Sequence, residues 1–404
     1  EGCRMMNVCG VNIIGCPDTG VIIGLNSEGE ELVQKIRDGM LFISEKFNDN
    51  QLALVNALLE NGFCAEEPTY HGIKRTYLHV TSHCTLNCEG CYSYELQRNQ
   101  KDDLSLPDIK KILDNLSKAG LVDLVISGGE PFLRMDIVDI LKYAKVNLQI
   151  ASVQCITNGT ASVESYLNAI QYLDTLSFSL DSADRETAII RSGDVFDATV
   201  EKINILKEQN VNITIIFTVH HFNIDRCMEL CDFGRKLGVN YRFSILTVKE
   251  FNTKKSALAL TDEDYEKLGK FFESNLTVKP IDNSLFGDTI GCVLTCGAGK
   301  NIVSISSDGY IYPCHMFNGV EEFCLGTALD GSIYNKVTDN EKNIFFSLSV
   351  DQIEKCQKCH IRYICGGGCR FRSYSLHKNV YYPDKMCQAY IFNKEECIRQ
   401  LMNP

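Results

Sequence analysis

Residues 79–92 read His79-Val80-Thr81-Ser82-His83-Cys84-Thr85-Leu86-Asn87-Cys88-Glu89-Gly90-Cys91-Tyr92, a loop of spacing Cys-x3-Cys-x2-Cys directly after an apolar strand candidate at 76–81. Three thiolates on one short loop can hold three irons of a 4Fe–4S cluster and leave the fourth iron open to a substrate or cofactor. A structural zinc site is the competing reading. Such sites close with a fourth Cys or His, and on this loop only His83 offers one.

Outward from the loop the chain alternates. Further strand candidates lie at 122–127, 150–156, 175–180, 212–218 and 241–246, with helix patterns near 107–118, 135–145, 162–173, 196–208 and 225–236. Six strands separated by helices predict right-handed βαβ units, a parallel sheet, and ligands at the carboxyl ends of the strands. A closed eight-unit barrel and an open six-strand array both fit this pattern. Ahead of it, two or three short strands, including 20–25, precede helical patterns. One helix starts around Asn26–Glu31 with Leu32, Val33 and Ile36 on its apolar face; a second carries Leu52, Leu54, Val55, Leu58 and Leu59 and stops at Asn61-Gly62. The expected hinge is Glu66-Glu67-Pro68.

The whole 404-residue chain is 45% hydrophobic and 23% charged, with a net charge of −12. That composition argues against long disorder, and the acidic balance against indiscriminate binding to nucleic acid or anionic membrane. Twenty cysteines stand out. No basic, apolar, small-residue signal segment and no apolar run of about 18 residues is present, so a cytoplasmic protein whose cysteines bind metal is expected, rather than a disulfide framework. Ten of the cysteines fall in the last 113 residues. There Cys356-x2-Cys359-x5-Cys365-x3-Cys369 forms one string with Cys387 beyond it, and Cys292, Cys296 and Gly309-x4-Cys314 lie upstream.

The cysteine loop after a first β/α strand resembles the signature of the radical S-adenosylmethionine (SAM) enzymes. In that family an aromatic residue usually precedes the third cysteine; this chain has Gly90 there and Tyr92 just after. The second strand candidate ends at Ser127-Gly128-Gly129-Glu130-Pro131, which matches the family's Gly-Gly-Glu-Pro motif. The resemblance implies that Cys84, Cys88 and Cys91 hold the catalytic cluster. It implies that the backbone at Gly128 and Gly129, together with Glu130, receives the SAM amino group, a carboxylate facing an ammonium. Tyr92, Asn158 in Thr157-Asn158-Gly159-Thr160, and Ser179, Asp181 and Arg191 are similarly implied as cofactor contacts, with Arg191 a planar fork for the methionine carboxylate. Read from the residues alone, Asp181 is equally a helix cap and Arg191 a surface charge.

The C-terminal cysteines resemble the SPASM extension of radical SAM peptide-modifying enzymes. This implies two auxiliary 4Fe–4S clusters, one on Cys292, Cys296, Cys314 and Cys369 and one on Cys356, Cys359, Cys365 and Cys387, with Cys324 or an open site as competitors for the place of Cys292. Nine cysteines then remain, most of them inert or buried thiols; Cys227 and Cys231, at i, i+4 spacing, read as a packed helix face rather than a metal pair. The N-terminal segment, with Gly24-Leu25-Asn26-Ser27-Glu28-Gly29 and Asp38-Gly39, resembles the winged-helix-like leader-recognition domain related to the pyrroloquinoline-quinone chaperone. Such domains add a leader peptide as a strand at a sheet edge.

The implied architecture is α/β: a leader-recognition domain over 1–72, a partial (β/α)6 radical SAM barrel over 73–285, and a SPASM domain over 286–404. The implied activity is reductive cleavage of SAM to a 5′-deoxyadenosyl radical that installs thioether cross-links in a ribosomally made precursor peptide. Three 4Fe–4S clusters, SAM, a leader-bearing peptide and a flavodoxin- or ferredoxin-type reductant are the expected cofactors and partners, with no nucleic acid and no membrane. Carbon–carbon cross-linking is the rival within the class. Formylglycine formation is weakened because His315, not an acidic residue, follows Cys314. A non-enzymatic iron–sulfur carrier accounts for the cysteines but not for the open loop beside Gly-Gly-Glu-Pro. An exposed low-potential cluster also implies bleaching in air.

Overall fold

The computed structural model describes residues 2–40, 46–63, 72–93, 98–249, 257–275, 290–339 and 341–402; the expected hinge at Glu66-Glu67-Pro68 and the thiol of Cys64 lie outside them. Two units form from separated stretches: Glu1–Tyr70 with Asn283–Cys296 and Leu348–Pro404, and His71–Asp282 with Gly297–Ser347.

In the first unit, Cys9 and Gly10 adopt positive φ of 53° and 82° and join β1 (Arg4–Val8) to β2 (Val11–Gly15). A two-residue turn with both φ positive matches the twist of an antiparallel hairpin, and the register runs from Arg4↔Gly15 to Val8↔Val11. β3 (Ile22–Leu25) pairs antiparallel with β2. Helix α1 (Ser27–Arg37) begins where Asn26 accepts from the Gly29 amide at 2.8 Å, with Glu28 and Glu30 in its first turn. Helix α2 (Asp49–Glu60) opens on a capping box of Asn48 and Gln51. Ile14, Cys16, Leu25, Val33, Leu58 and Phe63 close a small core in which Cys16 packs as a small hydrophobe.

The second unit is the alternating array. It runs β4 (Arg75–His79), α3 (Leu106–Lys118), β5 (Asp123–Ser127), α4 (Ile137–Lys142), β6 (Ser152–Thr157), α5 (Val163–Ala169), β7 (Thr175–Leu180), α6 (Gly193–Leu206), β8 (Asn212–Val219), α7 (Cys227–Leu237), β9 (Asn240–Ile245) and α8 (Asp262–Ser274). Strands β4 to β9 pair in sequence order, and all five pairings are parallel. Apolar residues cover both faces of such a sheet: Ile213, Ile215, Ile216, Phe217 and Val219 of β8 are all buried. Helix α3 shows how each crossover is fastened. Ser105 caps it, Pro107 sits in its first turn, and Ile109, Ile112, Leu113 and Leu116 are fully buried. At roughly 1.5–3 kcal/mol per buried aliphatic side chain, this face contributes about 6–12 kcal/mol, an upper bound given residual burial in the unfolded chain.

Of the two sheet readings, the open one is seen: among the described residues β9 ends the sheet without pairing to β4. The other side of β4 was not expected to carry a partner. There β10 (Ile302–Ile305) pairs parallel with β4, from Ile302↔Arg75 to Ile305↔Leu78, and β11 (Ile311–Tyr312) continues antiparallel beyond it. A four-residue and a two-residue strand are too short for a periodic signal, yet they cover an edge that would otherwise expose unpaired backbone groups. Helix α9 (Ile333–Thr338) closes this stretch. In the first unit the chain ends with α10 (Arg362–Cys365), α11 (Arg370–His377) and α12 (Cys387–Met402). Among the described residues no helix is long and apolar enough to cross a membrane.

Candidate functional site

The carboxyl ends of β4 to β9 open on a cavity of about 130 Å³ in the second unit. Cys84, Cys88 and Cys91 line it, as do Tyr92, Gly128, Gly129, Asn158, Ser179 and Arg191. Of the expected cofactor contacts, Glu130 and Asp181 are not among the lining residues.

The loop is held by its backbone. Gly128, at φ 136°, lies against the Thr81 carbonyl and Gly129 against the His83 carbonyl; a Cβ at either position would collide with that backbone. The glycine pair therefore lets the end of β5 pack against the cysteine loop. The Gly129 amide donates to the Thr81 carbonyl and the Glu130 amide to the His83 carbonyl, each at 2.8 Å. Gly90 has φ 72°, and a Cβ on it would stand 2.7 Å from Leu246 Cδ1, so the departure from the family's aromatic residue has a steric reason. Tyr92 reaches into the cavity from the following position, with its hydroxyl 2.5 Å from Ser127 Oγ.

Glu130 is fully buried. Its carboxylate accepts from Thr157 Oγ1 at 2.8 Å, the Asn158 amide at 2.7 Å and the Phe132 amide at 3.2 Å. It fastens the end of β6 to the β5 turn, and burial outweighs these bonds and holds its pKa above the usual carboxylate value. Asn158 carries the connection on: its Nδ2 lies 3.4 Å from Cys84 Sγ. Asp181 plays a comparable part for Arg191. It accepts from the Ile190 amide at 2.8 Å and from Arg191 Nη1 at 3.2 Å. Arg191, whose side chain is 12% exposed, is no surface charge, and its Nε is buried without a partner among the described residues. A cavity-lining guanidinium with an unpaired donor suits an anionic group such as a carboxylate.

Three thiols crowded on one loop disfavour one another as thiolates. Burial first, and then the Cys91 and Cys84 sulfurs, push Cys88 up against the pull of Arg191. Cys91 is also pushed up by burial, but Arg98 and Ser93 bring it below its ordinary value. Arg98 Nη2 lies 3.4 Å from Cys91 Sγ and Ser93 Oγ lies 3.3 Å from it. Arg98 carried no motif signal, being seven residues past the last cysteine of the loop. Such a donor set suits a metal centre, which deprotonates the thiols and offsets their charge.

A second ring forms in the first unit. Cys356, Cys359, Cys365 and Cys387 all line one pocket of about 220 Å³. Burial raises Cys365 to about 12 and Cys356 to about 11, and neighbouring sulfurs of the ring add to both shifts. Gly366, Gly367 and Gly368 all have positive φ, and a Cβ on Gly367 would meet Ile353 at 2.7 Å. The buried Arg370 guanidinium fixes this turn by donating to the carbonyls of Gly367, Gly368, Val380 and Tyr382. Arg372 donates to both oxygens of the buried Asp384, and Asp384 Oδ2 also accepts the Cys369 amide at 2.6 Å.

Of the other expected set, Cys292, Cys296 and Cys369 belong to the first unit and Cys314 to the second. Cys292 is fully buried against Gly15, its amide donates to the Gly20 carbonyl at 2.9 Å, and burial lifts it to about 12. Its competitor Cys324 bonds with the Tyr312 side chain. His315, after Cys314, lines the second unit's cavity and stacks on Tyr77 with centroids 4.1 Å apart. Among the described residues, no three His, Cys, Asp or Glu side chains converge as the ligands of a single metal ion would.

His79 is 1% exposed and meets Tyr92 of the cavity lining edge-on, with ring centroids 5.9 Å apart. Asn318 Nδ2 donates to its Nδ1 at 3.2 Å, which places the ring proton on the buried, unpartnered Nε2. Burial first, and then His315 and Lys249, hold its pKa at about 3; His220 is held at about 4, again chiefly by burial. Both folded values lie below the unfolded value of about 6.5, so this stability is fully present above about pH 6.5 and is lost as the pH falls towards 3. Melting temperatures measured between pH 5 and 8 are expected to drop below about pH 6.5, with a shallower slope in His79→Gln. An equal slope in the variant would remove His79 from this account.

Comparison with known proteins identifies two domains in the chain. Residues 78–234 match the radical SAM superfamily and residues 296–360 match SPASM, an iron–sulfur cluster-binding domain. The chain therefore carries a radical SAM domain. More narrowly, a SPASM domain follows it. It is similar to the PqqA peptide cyclase of Gluconobacter oxydans, at 23% identity over 80% of this chain and 94% of that protein. It is also similar to the antilisterial bacteriocin subtilosin biosynthesis protein AlbA of Bacillus subtilis, at 27% identity over 76% of this chain and 69% of that one. Among solved structures, Streptococcus suis SuiB bound to precursor peptide SuiA shares the fold, with a TM-score of 0.63, 19% identity and coverage of 93% and 96%.

Proposed function

We propose that this chain is a radical SAM peptide maturase that forms thioether cross-links in a precursor peptide. The observation that carries this reading is the cavity that joins an open three-cysteine loop, a glycine cradle and the unpaired Nε of Arg191. Cys84, Cys88 and Cys91 would hold the catalytic cluster, and Gly128, Gly129, Asn158, Ser179, Tyr92 and Arg191 would surround SAM. When bound, SAM and the reduced cluster supply a 5′-deoxyadenosyl radical able to take a hydrogen atom from carbon. The protein's own part is positioning and exclusion of water. Arg191 offers a fork to a carboxylate, Asp181 aims it, Glu130 and Asn158 tie the β6 end to the cysteine loop, and Arg98 offsets the charge at Cys91.

The peptide substrate rests on likeness to proteins whose names give peptide cyclisation and bacteriocin biosynthesis. The three-stranded sheet of the first unit leaves β1 and β3 with free edges among the described residues, the feature a leader peptide would use as an added strand. The ring of Cys356, Cys359, Cys365 and Cys387 would hold one auxiliary cluster, and Cys292, Cys296, Cys314 and Cys369 the other. The likeness to a PqqA peptide cyclase keeps carbon–carbon bond formation as the second reading.

The test is anaerobic incubation of the reconstituted chain with SAM, a reductant and the precursor peptide encoded beside its gene. Mass spectrometry is expected to find two hydrogens lost per cross-link. Alkylation separates the readings, because a thioether consumes a peptide thiol and a carbon–carbon bond leaves it reactive. Unmodified peptide alongside active SAM cleavage would overturn the peptide-maturase reading.

A further inference from the structure

The pocket of the second cysteine ring has a charged mouth of one sign. Cys356 and Cys365 are buried in it, whereas Cys359 and Cys387 are half-buried. Lys355, Lys358 and Arg362 line it, and its only carboxylate, Asp384, is buried in the ion pair with Arg372. Arg362 faces Asp351 at 3.4 Å and His360 bonds Glu395 at 2.7 Å. Lys355 and Lys358 are exposed, with no ion pair among the described residues.

Two unpaired lysines at one opening are notable on a chain of net charge −12. An acidic macromolecule is repelled by the molecule as a whole, so a local basic rim decides where it lands. A purely structural metal site gains nothing from an open, charged mouth with two of its sulfurs near the surface.

We propose that this rim is the docking face for an acidic one-electron carrier protein, which exchanges electrons there with a cluster held by Cys356, Cys359, Cys365 and Cys387. The proposal rests on the reading of that ring as a cluster site. In the exchange one electron leaves the carrier's reduced cofactor and the cluster gains it; no bond is made or broken. The lysines act by long-range attraction and orientation, so their effect falls on the encounter rate and fades with ionic strength.

The experiment uses the reconstituted full chain, a reduced acidic flavodoxin as the probe carrier, and reduced methyl viologen as a small cationic reductant. Anaerobic stopped-flow follows cluster reduction in the parent and in the double variant Lys355→Glu/Lys358→Glu. The flavodoxin rate constant is expected to fall at least about 10-fold and to lose its decline with salt. Iron content, the midpoint potential by EPR titration, and the methyl viologen rate should not fall. The neutral pair Lys355→Ala/Lys358→Ala is expected to show a smaller loss of the same kind, and it carries the test if charge reversal disturbs folding. An unchanged flavodoxin rate in both variants overturns the proposal. So does a loss shared with methyl viologen and accompanied by a shifted potential, since the lysines would then only balance cluster charge. If Cys359→Ala leaves the iron content of the chain unchanged, the ring holds no cluster, and the proposal falls together with that reading instead of by itself.

Discussion

Cys88→Ala is expected to abolish formation of 5′-deoxyadenosine while leaving the four-cysteine ring able to take up iron. Cys88 lines the cavity with Cys84 and Cys91, and no fourth Cys joins them in its lining. Removing one of three protein ligands leaves no spare donor to complete the set. Mutation of a residue that merely supports a metal ligand costs about 10–100-fold in affinity or activity, so loss of a ligand itself should exceed 100-fold. The check is chromatographic detection of 5′-deoxyadenosine under reducing, anaerobic conditions, together with iron analysis. Parent-like turnover in the variant would sink the assignment of this loop as the catalytic cluster site.

The second large effect concerns Glu130. Its place in Gly-Gly-Glu-Pro suggests a cofactor contact, but its carboxylate faces Thr157, Asn158 and Phe132 and is absent from the cavity lining. Glu130→Ala would leave the buried Asn158 and Phe132 amides unpaired and Thr157 Oγ1 with only the Tyr166 hydroxyl to donate to. At about 1–3 kcal/mol per abandoned group, and with incomplete additivity, a loss of about 3–5 kcal/mol is expected. In a unit of this size, at roughly 2 °C per kcal/mol, that corresponds to a melting point lower by about 5–10 °C. Glu130→Gln keeps one acceptor and should lose less. If SAM affinity falls at an unchanged melting point, Glu130 is a direct contact and its tethering role is wrong.

These two positions show what the sequence makes legible. The Cys-x3-Cys-x2-Cys loop is local, so its three thiols could be placed together from spacing alone. The six strands were legible because each is a short apolar run bounded by helix signals. Glu130 was recognisable as part of a motif, but not the direction of its carboxylate, which depends on the β6 end 27 residues away. Arg98 and His315 had no periodic or spacing signal, because their parts depend on how loops from distant strands meet at one end of the sheet. Strand β10 was missed for a related reason. A four-residue strand announces itself only through its partner, and that partner is more than 220 residues earlier in the chain.

That pairing has a consequence for biosynthesis. The strand leading into the cysteine loop has β5 on one side from early in synthesis, but its other side is filled only when Ile302–Ile305 has been made. At about 5–20 residues per second, roughly 9–36 s separate the two events on the ribosome. Throughout that interval the nascent chain carries a bare hydrogen-bonding edge beside three unmetallated thiols. Such an edge is a template for wrong pairing, and chains stalled within the interval are the ones most exposed to aggregation. The late strand is therefore also a completion signal, separating a nascent sheet that still needs protection from one that is finished.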